Sequence, residues 1–179
     1  MKIYTKNGDK GFTKLANGVT ISKHDGLVEA YGTVDELSSF IGLAIASLSW
    51  SHVTDVLVWV QKRLFQVASI LAGATGEVSL EDVERLEGAI DAMNAELPSL
   101  ENFILPGGCQ EAALLHVARS VSRRAERLIV AVVDEIDAEH EYVLPFLNRL
   151  SDFLFCAARY ENHQAGLLEE TPYEVGPVR

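Results

Sequence analysis

Apolar residues recur at intervals of three and four along most of this sequence, and this spacing limits the fold more than any other feature. A helix that buries one face needs this period, because side chains three and four positions apart lie on the same side. Two long helices come first. A third follows Ser79 and Asp82, which are spaced as in a capping box, and it ends near Pro98. The apolar positions of these three helices are Val34, Leu37, Ile41, Ala44, Ile45 and Leu48; Val53, Val56, Leu57, Val60, Leu64, Val67 and Leu71; and Val83, Leu86, Ile90, Met93 and Leu97.

The same period continues in two further helices, predicted from about Cys109 to Asp137 and from about Tyr142 to Leu168. Pro145 falls in the first turn of the last helix, where proline is tolerated. No segment alternates apolar and polar residues as a half-buried strand would. The predicted fold class is therefore all-α, a five-helix bundle with a glycine-rich N-terminal arm. The apolar positions are Leu114, Val117, Val121, Ala125, Leu128, Val132 and Ile136 in the fourth helix, and Phe146, Leu147, Leu150, Leu154 and Ala157 in the fifth.

One domain is predicted, because 179 residues with 48% hydrophobic side chains suffice for one core. Residues 1–24 would form the arm, 25–168 the bundle and 169–179 a short tail. Cys109 and Cys156 lie far apart and form no Cys-x-x-Cys motif, so neither a zinc ribbon nor a disulfide scaffold is indicated. We expect both cysteines to lie in the core of a protein kept in a reducing compartment.

Charge and hydropathy narrow the range of partners. The formal net charge is −11, which repels nucleic acids, so an anion site would need a local cluster of cations. The longest apolar stretches are interrupted by polar residues before the roughly 18 positions that a membrane span requires. The first residues form neither an apolar signal core nor an arginine-rich transit peptide. We therefore expect a cytoplasmic protein that binds neither membranes nor nucleic acids.

The segment Thr5–Thr13, TKNGDKGFT, combines two glycines, two lysines, an acid and two hydroxyls. Gly8 and Gly11 permit close approach of the backbone, so that consecutive N–H groups can converge on phosphate oxygens. Lys6, Lys10 and the two hydroxyls add further donors. The spacing matches neither a P-loop nor a dinucleotide fingerprint, so it names no cofactor. The segment is either a polyphosphate-binding arm or simply a hairpin turn.

The fourth helix carries a cationic face. Arg119, Arg123 and Glu126 fall on one side, with His116 and Arg127 beside them and nearly opposite the predicted apolar stripe, whereas Arg124 points elsewhere. A polar face opposite a core stripe is usually just solvated. However, the planar fork of arginine suits phosphate and carboxylate recognition, and here the arginines stand in an acidic chain.

A second polar face is predicted on the fifth helix, where Asn148, Asp152 and Arg159 align opposite the apolar residues. The two faces are either solvated or line an interface between subunits that holds a charged ligand. The apolar segment Phe103–Gly108 precedes the fourth helix and ends in Pro-Gly-Gly, which forces a turn. It is either a plug at the end of the bundle or a wall for a large apolar ligand.

Five motifs together resemble the PduO-type ATP:cob(I)alamin (corrinoid) adenosyltransferases. They occur in the family's order and span nearly the whole chain. Only the second and third helices and the tail carry no family motif. The motifs are Thr5–Thr13 (TKNGDKGFT), Glu29–Leu37 (EAYGTVDEL), Phe103–Gly108 (FILPGG), His116–Arg119 (HVAR) running into Arg123–Arg127 (RRAER), and Leu147–Asp152 (LNRLSD).

The resemblance implies a homotrimer with active sites between neighbouring subunits. It also implies the reaction, in which the cobalt of cob(I)alamin attacks the 5′ carbon of ATP to give adenosylcobalamin and triphosphate. The substrates would be MgATP and cobalamin or another corrinoid, with Mg²⁺ bound mainly through the phosphates rather than by the protein. A flavoprotein reductase and an adenosylcobalamin-dependent enzyme are possible partners.

The resemblance further implies two sets of ATP contacts. The arm would wrap the polyphosphate, and the fourth helix of the adjacent subunit would contact the nucleotide, with an asparagine of the fifth helix completing the pocket. The arm residues are Thr5, Lys6, Asn7, Gly8, Asp9, Gly11, Thr13, Lys14 and Lys23, and the helical residues are Arg123, Arg124, Glu126, Arg127 and Asn148.

Three more roles come from the resemblance. Arg119 would pair with Asp35 across the subunit boundary and shape the site. Phe103 would occupy the lower axial side of the cobalt, leave Co(II) four-coordinate and so ease its reduction to Co(I). The chain departs from many relatives at His24, where an acid commonly follows the lysine, and in its short tail.

A second function of another class fits part of the same pattern. A trimeric protein could bind cobalamin or ATP as a carrier or sensor without turnover. The intact set of Asp9, Arg119, Arg123, Glu126 and Asn148 favours the enzyme, because a pure carrier could lose the contacts to the triphosphate.

Overall fold

The computed structural model describes residues 3–49, 52–132 and 140–172. Five helices follow a short hairpin, so the five-helix bundle is confirmed. The all-α description is wrong in one respect, because the hairpin is a two-stranded antiparallel sheet. The elements are β1 (Phe12–Lys14), β2 (Thr20–Ser22), α1 (Gly26–Ser47), α2 (His52–Leu71), α3 (Leu80–Asn94), α4 (Gln110–Ala131) and α5 (Val143–Gln164).

The hairpin lies within the glycine-rich arm, where Phe12 is paired with Ser22 and Lys14 with Thr20. Its strands are too short for an alternating pattern to stand out, which is why the sequence did not reveal them. Ala16 donates a main-chain hydrogen bond to the carbonyl of Ala72 at 2.9 Å, and the side chain of Leu15 is buried. The arm is therefore anchored beside the end of α2.

Consecutive helices alternate in direction. The pairs Gln61–Ser38, Arg63–Asp82 and Asn148–Glu126 each join two helices that run in opposite directions. By contrast, α3 and α5 run parallel, as shown by the hydrogen bond from Arg149 to Glu87 and that from Tyr160 to Glu96. Among the described helices, none combines the length and apolar composition that a membrane crossing requires.

The core stripes of α2 and α5 are confirmed, since every predicted apolar position in them is buried. The stripe predicted for the fourth helix is wrong in part. Val117 is exposed, whereas Leu115, Ala118 and Ile129 are fully buried. The physical reason is that α4 packs between α1 and α5, so its buried face is wide and includes small residues that allow close helix approach.

The ends of the last two helices also differ from expectation. Helix α4 ends at Ala131, and the predicted continuation to Asp137 lies outside the described residues. Helix α5 ends at Gln164 rather than Leu168, because Gly166 adopts a φ of 68° that stops the helix. Cys156 is buried as expected, whereas Cys109, which precedes α4, is only partly buried.

Candidate functional site

The cations of α4 form the centre of the candidate site. Arg123 and Arg127 are exposed, and neither makes an ion pair or hydrogen bond with another described residue. Arg119 is half-buried, and burial followed by the charge of Arg123 lowers the pKa of its guanidinium. Positive charge is therefore concentrated on this face without an acidic partner from the described part of the same chain. An anionic ligand would relieve this repulsion.

A buried histidine holds the Arg119 side chain. The Nε atom of Arg119 donates to Nδ1 of His116 at 3.3 Å, which leaves the proton of the neutral ring on Nε2. The sequence placed His116 beside the polar face, but its side chain is only 4% exposed and packs against Phe155. Its Nε2 has no hydrogen-bond partner among the described residues. Burial, followed by the charge of Arg119, lowers the pKa of His116 to about 4.

The structure brings two predicted nucleotide residues into direct contact. Asn148 Nδ2 of α5 donates to Glu126 Oε1 of α4 at 3.0 Å. Next to them, Ser122 Oγ donates to the Leu147 carbonyl at 3.4 Å, so the two helices are in register at this level. The amide and carboxylate thus form a hydrogen-bonded polar pair beside the arginines.

Arg124 does point away from this cluster. It forms an ion pair with Glu36 of α1, and both side chains are nearly half exposed. Glu36 is a residue that the sequence reasoning did not single out. Asp35 is exposed on the same helix, and within one chain it forms no ion pair with Arg119 among the described residues. The predicted Asp35–Arg119 bridge would therefore have to join two subunits.

The arm places several predicted phosphate ligands close together. The side chain of Lys23 reaches over Gly8, so that a Cβ added to Gly8 would lie 2.9 Å from Lys23 Nζ. Lys6 and Gly11 both have positive φ values, and Gly11 accepts a main-chain hydrogen bond from Lys23 at 2.8 Å. Predicted arm residues with exposed side chains are Thr5, Lys6, Asn7, Asp9, Lys14 and Lys23, while Thr13 is partly buried.

Within one chain, no hydrogen bond or ion pair among the described residues joins the arm to α4. The described residues also contain no group of three histidine, cysteine, aspartate or glutamate side chains that could hold a metal ion. Phe103 is 79% exposed at the start of the loop before α4, so its side chain does not plug the bundle.

The position predicted for Arg159 is wrong. This residue was predicted on a polar face of the fifth helix with Asn148 and Asp152, but its side chain is only 4% exposed. Its Nε donates to Glu169 Oε1 at 2.5 Å. Helical spacing alone misassigned Arg159 because its partner lies in the following tail, which covers this end of α5. Asp152 is exposed as predicted and pairs with Arg149 at 2.7 Å.

A family model for cobalamin adenosyltransferase matches residues 3–161. The chain belongs to this family. It is 49% identical over 175 residues to the corrinoid adenosyltransferase of Bacillus subtilis, covering 93% of this chain and 90% of that one. It is 38% identical to the corrinoid adenosyltransferase PduO of Salmonella typhimurium over 95% of this chain, but spans only 53% of that longer protein.

Solved structures of the PduO-type ATP:corrinoid adenosyltransferase from Lactobacillus reuteri share this fold. A phenylalanine-to-histidine variant complexed with cobalamin and ATP superposes with a TM-score of 0.89 at 39% identity, covering 99% of this chain and 100% of that one. An arginine-to-lysine variant complexed with ATP gives a TM-score of 0.87 at 40% identity over 96% of this chain and 100% of the other.

Proposed function

We propose that this chain transfers the 5′-deoxyadenosyl group of ATP to cob(I)alamin or another corrinoid, and that it does so as a homotrimer with active sites between subunits. One observation carries the proposal at the level of residues: α4 presents Arg119, Arg123 and Arg127 without acidic partners among the described residues, in a chain of net charge −11. The triphosphate of ATP supplies the missing negative charge. Membership of the family supports both substrates.

The arm of one subunit and α4 of its neighbour would bind the nucleotide together. Within one chain no hydrogen bond or ion pair among the described residues joins the arm to α4, which leaves both free to bind a nucleotide shared with a neighbouring subunit. Mg²⁺ would enter with ATP and stay on its phosphates. Arg124 would first have to leave Glu36, and an exposed ion pair of this kind exchanges at little cost. The arm ligands are Thr5, Lys6, Asn7, Gly8, Asp9, Gly11, Thr13, Lys14 and Lys23, and the helical ligands are Arg123, Arg124, Glu126, Arg127 and Asn148.

The protein needs no nucleophile of its own for this reaction. An electron pair of Co(I) forms the Co–C bond to the 5′ carbon, and the C–O bond breaks with its electron pair leaving on the triphosphate. The chain has to align the two substrates and neutralise the departing charge. Arg123 is placed for the second task, and the Asn148–Glu126 pair limits where the nucleotide can lie.

Phe103 would form the apolar wall beneath the corrinoid, and Arg119 would pair with Asp35 of the adjacent subunit. The exposure of Phe103 supports its role, because its ring is free to contact a large ligand. The phenylalanine and the arginine varied in the Lactobacillus reuteri structures are separated by the same number of positions as Phe103 and Arg123 here. This equal spacing supports the view that Phe103 and Arg123 correspond to those two residues.

Two unpaired cysteines support a reducing, cytoplasmic setting, in which cob(I)alamin survives longest. A flavoprotein reductase would supply the electron for Co(II), and an adenosylcobalamin-dependent enzyme would take up the product. A carrier or sensor of cobalamin or ATP is the second candidate. The unpartnered arginines fit ATP binding in either candidate, so formation of the adenosyl product is the observation that separates the two.

The deciding experiment mixes the purified protein with MgATP and chemically reduced cobalamin and follows the visible spectrum. We expect the light-sensitive adenosyl product to accumulate, and we expect light scattering to give the mass of a trimer. A trimer that binds both ligands without forming the product would establish the carrier instead. A monomer would refute the shared site.

A further inference from the structure

The end of α5 turns the chain back towards the loop that carries Phe103. Gly166 donates to the His163 carbonyl at 3.0 Å and Leu167 donates to the Asn162 carbonyl at 2.9 Å. These two bonds, with the positive φ of Gly166, form a Schellman motif. The residues that follow, 167–170, are called the tail strap below. They run alongside the loop of residues 103–108.

A buried ion pair fixes the tail strap to the bundle. Arg159 Nε donates to Glu169 Oε1 at 2.5 Å, and its Nη2 donates to Glu169 Oε2 at 3.1 Å. The same Nη2 also donates to the Pro98 carbonyl at 2.9 Å. One guanidinium therefore joins α5, the segment after α3 and the tail strap. Arg159 is only 4% exposed, and its bidentate pairing with the carboxylate both attracts Glu169 and fixes the orientation of the two side chains.

The tail strap in turn holds the loop. Leu105 donates its main-chain N–H to the Glu170 carbonyl at 2.7 Å. Among the described residues, the main chain of 103–106 makes no other hydrogen bond. The loop and the strap together line an open cavity of about 430 Å³. The bond from Leu105 thus restrains the position of Phe103, two residues earlier.

The other end of the loop is fixed independently. Asn162 of α5 accepts from the Cys109 N–H at 2.9 Å and donates to the Gly107 carbonyl at 3.0 Å. Gly108 has a φ of 104°, and an added Cβ would lie 1.9 Å from Asn162 Oδ1. The Gly-Gly turn is therefore held even when the strap is released. Loss of the strap should free only the Phe103 half of the loop.

We propose that Glu169 is a positioning residue for the corrinoid substrate, acting through its ion pair with Arg159 to hold the strap that fixes the Phe103 loop. This inference rests on the proposed function in placing Phe103 beneath the corrinoid. Glu169 itself contacts neither substrate in this arrangement. Its effect passes from the carboxylate to the strap, from the strap to Leu105, and from Leu105 to the ring of Phe103.

The test compares Glu169→Gln with Glu101→Gln, which removes the same charge from an exposed side chain close to the loop. We expect Glu169→Gln to raise the KM for cobalamin roughly tenfold, which corresponds to a loss of about 1.4 kcal/mol of binding free energy. The KM for ATP should stay near wild type, whereas the unfolding temperature should fall because the buried Arg159 loses its charged partner. Glu101→Gln should match wild type in every measurement.

A second variant tests whether Arg159 and Glu169 act through the same contact. Arg159→Met keeps most of the buried volume and should raise the KM for cobalamin to the same extent, and the double variant should show no further loss. Additive losses would mean that the two residues act separately, which overturns the proposal. Should Arg159→Met fail to fold, the comparison of Glu169→Gln with Glu101→Gln decides alone.

Phe103→Ala separates this inference from the proposed function. If it impairs cobalamin kinetics while Glu169→Gln does not, the positioning role of Glu169 is refuted and the assignment of Phe103 stands. If Phe103→Ala leaves cobalamin kinetics unchanged, the assignment of Phe103 fails and the role of Glu169 falls with it. Equal increases in both KM values for Glu169→Gln would indicate general damage and also refute the proposal.

Discussion

Acidification should destabilise this fold through His116 in particular. The neutral ring of this α4 residue is buried next to Phe155 of α5, and burial, followed by the charge of Arg119, lowers its pKa from 6.5 to about 4. The unfolded chain therefore takes up a proton below about pH 6.5 that the folded chain refuses until about pH 4. Above this window, His116 leaves the free energy of unfolding unchanged. As the pH drops through the window the free energy of unfolding falls, and below the window this loss has reached its full size.

The size of the effect follows from the shift in pKa. Each unit corresponds to about 1.4 kcal/mol, so the whole window is worth on the order of 3 kcal/mol. About 2 kcal/mol of this should be lost between pH 7.5 and pH 5, where the folded ring is still neutral. Glu161 acts in the opposite direction, because burial and then Glu111 raise the pKa of its carboxyl. Glu161 is present in wild type and in both variants described below, so its contribution cancels when their free energies of unfolding are compared.

Urea unfolding, followed by circular dichroism at fixed protein concentration, measures this pH-dependent change in the free energy of unfolding. The variant His116→Gln keeps a polar donor but cannot be protonated, so its stability should fall by about 2 kcal/mol less than wild type between the two pH values. His163→Gln is the control, because it deletes an exposed imidazole from the last turn of α5. Parallel curves for wild type and His116→Gln would refute the reasoning, as would an equal flattening in His163→Gln.

The remaining predictions concern the site and its loop. Arg123→Ala should lower kcat on the order of a hundredfold, because the departing triphosphate loses a cation, whereas Lys62→Ala on the exposed side of α2 should not; near-normal steady-state kinetics would remove Arg123 from the site. Phe103→Ala should slow adenosylation starting from Co(II) far more than from preformed Co(I), and equal losses on the two routes would argue for general pocket damage. Gly108→Ala should lower the unfolding free energy by about 2 kcal/mol, because its φ is positive and the new Cβ meets Asn162. Gly107→Ala, which has open space around it, is the control for that measurement, and equal stability of the two variants would contradict the account.

The family and the exposure of several candidate residues were predictable because they depend on local motifs. The order of the motifs indicated the family, which the match to the family model confirms. Helical spacing correctly placed Arg123 and Arg127 on an exposed face and separated Arg124 from them. The resemblance assigned Asn148 and Glu126 to one nucleotide pocket, but their direct contact was not predicted, since the two residues are distant in the sequence.

Other features were beyond the reach of spacing. His116 and Arg159 both look like members of polar faces, yet both are buried. What covers them comes from elsewhere in the chain: α5 supplies Phe155 beside His116, and the tail supplies Glu169 to Arg159. The only signal for the second pair was a glutamate shortly after a glycine at the end of a helix, which is common in turns. Glu36, paired with Arg124, had no signal at all.

The sequence by itself determined the five helices and the irregular loop before the fourth. These follow from interactions within a few residues, namely the apolar period, the capping box at Ser79 and the Pro-Gly-Gly turn. Only the tertiary structure decided which side of α4 is buried, because that depends on how α1 and α5 pack on it. It also decided that Glu169 reaches Arg159, since a pairing across a turn depends on where the turn directs the chain.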